Sequence, residues 1–257
     1  MRILQFTDTH LYGHADGTLR GVETDASLRA VIAEAFAQFP RYDALLVTGD
    51  IANEDPLGYK RFRHIFGSLH RPVLCVPGNH DDLAAMRREL SAPPFALGGA
   101  HRFGDWKIIM LDSLEQGRAE GRIAAPELAR LERELALSRD QHVMVGLHHH
   151  PVPMGSNWLD SVGLSNANEF WRLVEDFRHV RAVTWGHVHQ AYEGKRGNVR
   201  LFATPSTCAQ FLPGSEEFAT DSRPPAYRSF RLHPDGRVET QIHWVDVISA
   251  RRARLSA

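Results

Sequence analysis

Five apolar, β-branched runs in this chain end at the same kind of polar residue. ILQF is followed by Thr7-Asp8-Thr9-His10, LLVT by Gly49-Asp50, and VLCVP by Gly78-Asn79-His80-Asp81; VMVGL is followed by His148, and AVTW by Gly186-His187-Val188-His189. Short apolar runs bounded by turn residues read as buried strands. In open α/β sheets, sites form beyond the carboxyl ends of such strands. Each turn alone is ordinary, since Gly-Asn and Asp-containing turns commonly follow strands. Five of them, all carrying aspartate, asparagine or histidine, constrain the chain to a fold that brings five strand ends to one sheet edge.

The surrounding pattern supplies that fold. Strands are expected at Arg2–Phe6, 44–47, Val73–Val76, 107–111, 141–147 and 181–185. Between them lie helical patterns: 28–39 after a cap at Asp25, a start at Asp55-Pro56, 126–137 with Leu128, Leu131 and Leu135 on one face, and 169–177. Short strand-like pieces follow at 199–202, 227–232 and 237–245, with Pro234-Asp235-Gly236 as a hairpin turn, and read as an antiparallel closure. The stretches 91–99 and 212–225 read as ordered loops or lids. The order predicts an α/β sandwich, two mixed β-sheets flanked by helices, in one domain spanning 1–257 with a basic tail at 250–257.

Composition narrows the function. The 257 residues carry a formal net charge of −1, which argues against a nucleic-acid partner. The longest apolar runs are far too short to span a membrane, and MRILQFTD enters a strand with no signal-peptide pattern, so a cytoplasmic protein without a membrane partner is expected. Cys75 and Cys208 read as free thiols of a reducing compartment. Fifteen histidines in a chain of near-neutral charge hint at metal.

The candidate ligands are Asp8, His10, Asp50, Asn79, His148, His187 and His189. Carboxylate, imidazole and amide without thiolate suit Mn, Fe, Zn or Co rather than a structural cysteine-rich zinc site. Seven ligands are too many for one ion and fit two divalent ions with a shared ligand. A bridge calls for two oxygens on one group, and Asp50, alone at its strand end, is the expected bridge. In "LHHHP", successive strand residues face opposite sides, which sets His149 apart from His148 and His150. His148 directly follows the apolar run, whereas Pro151 draws His150 out into the loop, so His148 is the expected ligand. His149 is expected under a helix or exposed.

The motifs D-x-H, G-D, G-N-H-D, a lone H after a strand, and G-H-x-H, in this order from residue 8 to 189, resemble those of calcineurin-like metallophosphoesterases. The segments "LHHHPVPMGSNWLD" and "TPSTCAQFLPGSEEFATDSRPPAYRSFRLHPDG" further resemble the bacterial class III cyclic-nucleotide phosphodiesterases. The resemblance implies hydrolysis of 3′,5′-cyclic AMP to 5′-AMP by a metal-bridging hydroxide, with Fe or Mn as the ions. It implies one ion held by Asp8, His10, Asp50 and His189, and the other by Asp50, Asn79, His148 and His187. His80 matches the family's non-ligand histidine, which serves the leaving oxygen, and Asp81 is expected to orient its ring. A cyclic-nucleotide substrate is then expected against His10, Asp50, Asn79, His80, His148 and His189. The loop 154–165, with Trp158, and the segment 204–211 are candidate pocket walls. The rival readings are a phosphodiesterase acting on glycerophosphodiesters, lipid pyrophosphates or 2′,3′-cyclic nucleotides, and an inactive binding scaffold. Oligomeric state is not legible.

Overall fold

The computed structural model describes residues 1–246, and the basic tail at 250–257 lies outside the described residues. In chain order the elements begin β1 (Arg2–Phe6), β2 (Thr18–Leu19), β3 (Val22–Glu23), α1 (Thr24–Gln38), β4 (Ala44–Thr48), α2 (Gly58–Phe66), β5 (Val73–Val76), α3 (Leu83–Glu89), β6 (Phe95–Leu97), β7 (Gly99–Phe103) and β8 (Trp106–Met110). They continue with α4 (Ala125–Ala136), β9 (His142–Gly146), α5 (Asn157–Asp160), α6 (Ala167–Glu175), β10 (Val180–Trp185), β11 (Tyr192–Arg196), β12 (Val199–Ala203), β13 (Gln210–Phe211), β14 (Thr220–Asp221), β15 (Ala226–Leu232) and β16 (Val238–Trp244).

Two six-stranded sheets form the expected sandwich, in the orders β16-β15-β1-β4-β5-β6 and β11-β12-β10-β9-β8-β7. In the first, β1, β4, β5 and β6 run parallel and β15 and β16 add an antiparallel edge. In the second, β12, β10, β9 and β8 run parallel between antiparallel β11 and β7. Parallel strands require crossovers, and helices supply them on the outer faces except between β10 and β12, where strand β11 intervenes. Leu28 and Val31 of α1 with Phe62 and Phe66 of α2 cover the first sheet. Leu131 and Leu135 of α4 with Phe170, Trp171 and Val174 of α6 cover the second.

The period-two alternation of a strand divides the rest. Leu4 and Phe6 of β1 face the helices, while Ile3 joins Leu46, Leu74, Ile108, Met144 and Phe202 between the sheets. One step further along, this inner layer turns polar. The Gln5 amide donates to Thr48 Oγ1 (2.8 Å), and its oxygen accepts from Thr184 Oγ1 and Thr204 Oγ1 (2.7 Å each), so one side chain links both sheets. Arg228 of β15 makes a second link, donating to Ala203 O and Glu193 Oε1 across the sandwich at 2.9 Å each. Gln5→Leu is expected to leave buried threonine hydroxyls unpartnered and to lower stability by about 2–3 kcal/mol in denaturant titration. An unchanged midpoint would show that the polar layer contributes nothing.

Several elements differ from expectation for local reasons. Helix α1 starts at Thr24, and Asp25 lies inside it, paired with Arg29 (2.6 Å) and Arg61 (3.3 Å). The stretch 91–99 contributes β6 to the first sheet, and within the expected loop at 212–225 strand β14 pairs with β13 just before it in a small ribbon. Strand β12 pairs parallel to β10, so the closure is mixed, with antiparallel pairing at β11–β12, β13–β14, β1–β15 and β15–β16. Cys75 and Cys208 are free and buried. Among the described residues no helix is long and apolar enough to cross a membrane.

Candidate metal centre

The five polar strand ends belong to two sheets rather than one: β1, β4 and β5 in the first, β9 and β10 in the second. They meet at a common end of the sandwich, just beyond the Gln5 layer, where backbone bonds lace the loops together. Asp8 N donates to Gly49 O (3.0 Å), His10 N to Asp50 O (2.9 Å), and Gly186 N to His148 O (3.2 Å). The glycines are required by crowding. A Cβ on Gly78 would stand 2.1 Å from Asp50 Oδ1, and one on Gly186 would stand 2.0 Å from Thr7 Oγ1. Among the described residues, the non-glycine residues with left-handed φ are Asp8, His10, Arg20, Asp50, Glu54, His187 and His189. All seven border this cleft or bond to a residue that does. Such conformations cost about 1–3 kcal/mol each and persist where the surroundings enforce them, as at functional sites.

Hydrogen bonds fix the tautomers of three imidazoles. His189 Nδ1 donates to Ala209 O (2.6 Å), and His148 Nδ1 donates to Thr48 O (2.7 Å). Asn53 gives its amide N–H to Tyr12, so its Oδ1 accepts from His10 Nδ1 (3.0 Å). In the neutral rings that ligation takes, each Nε2 is a bare lone pair; burial opposes the charged form of His148, but the Asp50 and Asp8 carboxylates outweigh it and hold the ring up at about 9, so an ion there displaces a proton. Those lone pairs converge: His10 Nε2 and His189 Nε2 are 3.3 Å apart, and Asp8 Oδ1 is 3.3 Å from His189 Nε2. On the other side, Asn79 Oδ1 lies 2.9 Å from His187 Nδ1 and 3.2 Å from His148 Nε2. In the first group acceptors face acceptors and repel unless a cation lies among them; in the second, His187 Nδ1–H can donate to Asn79 Oδ1, its Nε2 having no partner among the described residues. The donor set of carboxylate, imidazole and amide fits divalent metal ions. Carbonyl-anchored imidazoles of this kind are the usual supports of metal-ligating histidines.

Asp50 stands between the two groups, with a difference from the expected two-oxygen bridge. Its Oδ2 alone faces both His10 Nε2 (3.7 Å) and His148 Nε2 (3.5 Å), while Oδ1 accepts from His80 N (2.9 Å). Electrostatics suits cation binding. Burial opposes ionisation of Asp8 and Asp50, but the surrounding histidines outweigh it and hold both carboxyls below their usual range. Burial drives His10 down to about 4 and His187 well below the ordinary imidazole value, which keeps both neutral, as ligation requires.

Asp81 departs from the expected role. Its carboxylate accepts from Gly78 N (2.8 Å), Ala52 N (3.0 Å) and Tyr59 Oη (2.8 Å), which ties the β4 and β5 loops together. Burial pushes it up to about 6, and the charge of Asp50 adds to the shift. The group beside the His80 ring is Glu54, whose Oε1 lies 3.2 Å from His80 Nδ1. Glu54 sits on an exposed loop with no motif to single it out. His149 is neither exposed nor remote. It is buried, bonded to Ser113 Oγ (2.8 Å), with its ring 4.8 Å from that of His187. His150 stacks on the other side of His187 at 5.6 Å and faces Asp160 (3.7 Å).

Residues 1–191 match the family model of the calcineurin-like phosphoesterases. The chain belongs to that family. All nine sequence-derived site residues fall within the matched stretch. A 3′,5′-cyclic adenosine monophosphate phosphodiesterase of Pseudomonas aeruginosa is 38% identical over 245 residues, covering 95% of this chain and 90% of its own. The protein of that name from Escherichia coli K12 is 37% identical, covering 95% and 89%. Among solved structures, a dimetal phosphatase from Danio rerio shares the fold at a TM-score of 0.66 and 14% identity, over 96% of this chain and 99% of that one.

Proposed function

We propose that this protein hydrolyses 3′,5′-cyclic AMP to 5′-AMP with two divalent metal ions, Fe or Mn, in a reducing cytoplasm. The observation that carries the reading is the convergence of carboxylate, imidazole and amide atoms about Asp50, in a chain that covers 90% of a relative named for that reaction. Asp8, His10, Asp50 and His189 would hold one ion, and Asp50, Asn79, His148 and His187 the other. When bound, the ions would activate water and neutralise the phosphoryl oxygens. The chain's own part is to hold that charge in place. The buried imidazoles stay fixed on their carbonyls, and the left-handed loops do not reorganise during reaction. One P–O bond forms to the water oxygen, whose proton passes to solvent, and the P–O3′ bond breaks. His80, beside Glu54, hands its proton to O3′.

The test is a panel of phosphodiesters with protein of defined metal content. Cyclic AMP is expected to be cleaved at least about 100-fold more efficiently than simple aryl phosphodiesters. Activity is expected to vanish in excess EDTA and to return better with Mn or Fe than with Mg, because imidazole-rich sites favour the softer ions. Equal rates across the panel would remove the cyclic-nucleotide reading, and full activity after exhaustive chelation would remove the metals.

A further inference from the structure

The centre opens into a cleft of about 240 Å³ whose opposite wall is aromatic. Phe211 stacks flat on His189, with centroids 4.1 Å apart and planes within 9°. Beyond it, Trp158 and Phe218 meet Phe211 and each other edge-to-face at 5.2–5.4 Å. Across the rim, the guanidinium of Arg20 lies 4.6 Å from the centroid of the Phe218 ring. Three features mark this wall as more than packing. Phe218 is 43% exposed although it belongs to an aromatic cluster. Trp158 Nε1 is buried without an acceptor among the described residues, and buried indole N–H groups ordinarily have one. Arg20 holds a left-handed φ of 51° at the tip of the β2–β3 hairpin, and no carboxylate pairs with it among the described residues.

We propose that Trp158, Phe211 and Phe218, with Arg20 across the rim, form the subsite for the substrate's purine base. The inference rests on the cyclic-nucleotide reading. A cyclic nucleotide is a rigid phosphate–sugar bicycle with one flat base, so phosphate on the metal floor leaves the base a fixed reach away, where this wall stands. Aromatic faces stack on bases. Purine ring nitrogens are acceptors, which Trp158 Nε1–H and the Arg20 fork can satisfy. The phosphate needs neither, since the floor already supplies its cations.

The test is equilibrium binding of 5′-AMP and of ribose 5-phosphate to the metal-loaded full chain, by calorimetry. The wild-type protein is expected to bind AMP at least tenfold more tightly. Phe218→Ala and Arg20→Ala, both at exposed positions, are each expected to weaken AMP by about tenfold and to leave ribose 5-phosphate within twofold. Trp158→Phe keeps an aromatic face, smaller than the indole, and loses the N–H, and is expected to weaken AMP by about fivefold. Equal affinity of the wild-type protein for the two ligands, or equal weakening of both by the variants, would overturn the subsite. Failure of the cyclic-nucleotide reading would appear separately, as indifference in the hydrolysis panel.

Discussion

Asp50→Ala is expected to lose metal and activity together, with kcat/KM falling on the order of 10⁴-fold or more. The reason is positional. Asp50 Oδ2 faces an imidazole of each ligand group, so its loss weakens both ion sites at once, whereas loss of any other ligand strikes one. It also removes a buried negative charge that would offset the two proposed cations. Elemental analysis of the purified variant is the measurement, with unfolding midpoint as a check on folding. His80→Ala is the internal comparison: it is expected to keep both ions and lose mainly kcat, since its side chain serves the leaving oxygen. Two full equivalents of metal in Asp50→Ala would show that the shared position belongs to another residue.

The residues that meet at this centre are legible because each follows a strand whose apolar run is a strong local signal. The runs fix where strands end, and the chemistry of the next residue follows directly from the sequence. What the sequence hid lies where local signal and tertiary role part. Strands β7 (GAHRF) and β11 (YEGKR) are the edges of the second sheet and are nowhere fully buried, so neither carries an apolar period. Gln5 looks like the polar phase of a half-exposed strand, yet it is wholly buried, because the layer beside the metal end must hydrogen-bond across two sheets. Asp81 adjoins His80 in sequence, but its carboxylate is taken up by three backbone amides, a demand that appears only once the β4 and β5 loops meet. Glu54, Arg20 and Phe218 lie on loops, where spacing carries no orientation. The pocket walls were partly legible: Trp158 and Phe211 fall within the two segments expected to line the site.

The second large effect separates the three histidines of "LHHHP". All three are buried, so burial does not discriminate among them. Hydrogen bonding does. His148 gives its Nδ1–H to Thr48 O on β4, which aims a bare Nε2 at Asp50 (3.5 Å) and Asn79 (3.2 Å). His149 bonds Ser113 through Nδ1, and its unpartnered Nε2 could join His148 and His187 about an ion, but unlike His148 it has no carboxylate within ion-pair distance among the described residues, and burial holds the ring well below its ordinary range. His150 lies against His187 and Asp160 and lines a separate pocket from the one that Asp50 lines. His148→Ala is therefore expected to lose one ion and nearly all activity, on the order of 10³-fold or more. His149→Ala is expected to keep both ions and to lower stability by about 1–3 kcal/mol, since it opens a cavity beside Gly121 and strands the Ser113 hydroxyl. His150→Ala is expected to keep both ions, with a modest rise in KM as the stacked face of His187 loosens. Metal content of the three variants, measured side by side with unfolding midpoints, decides among them. Loss of an ion from His149→Ala with His148→Ala fully loaded would move the ligand role one residue along the strand and invert the assignment made from the Thr48 bond.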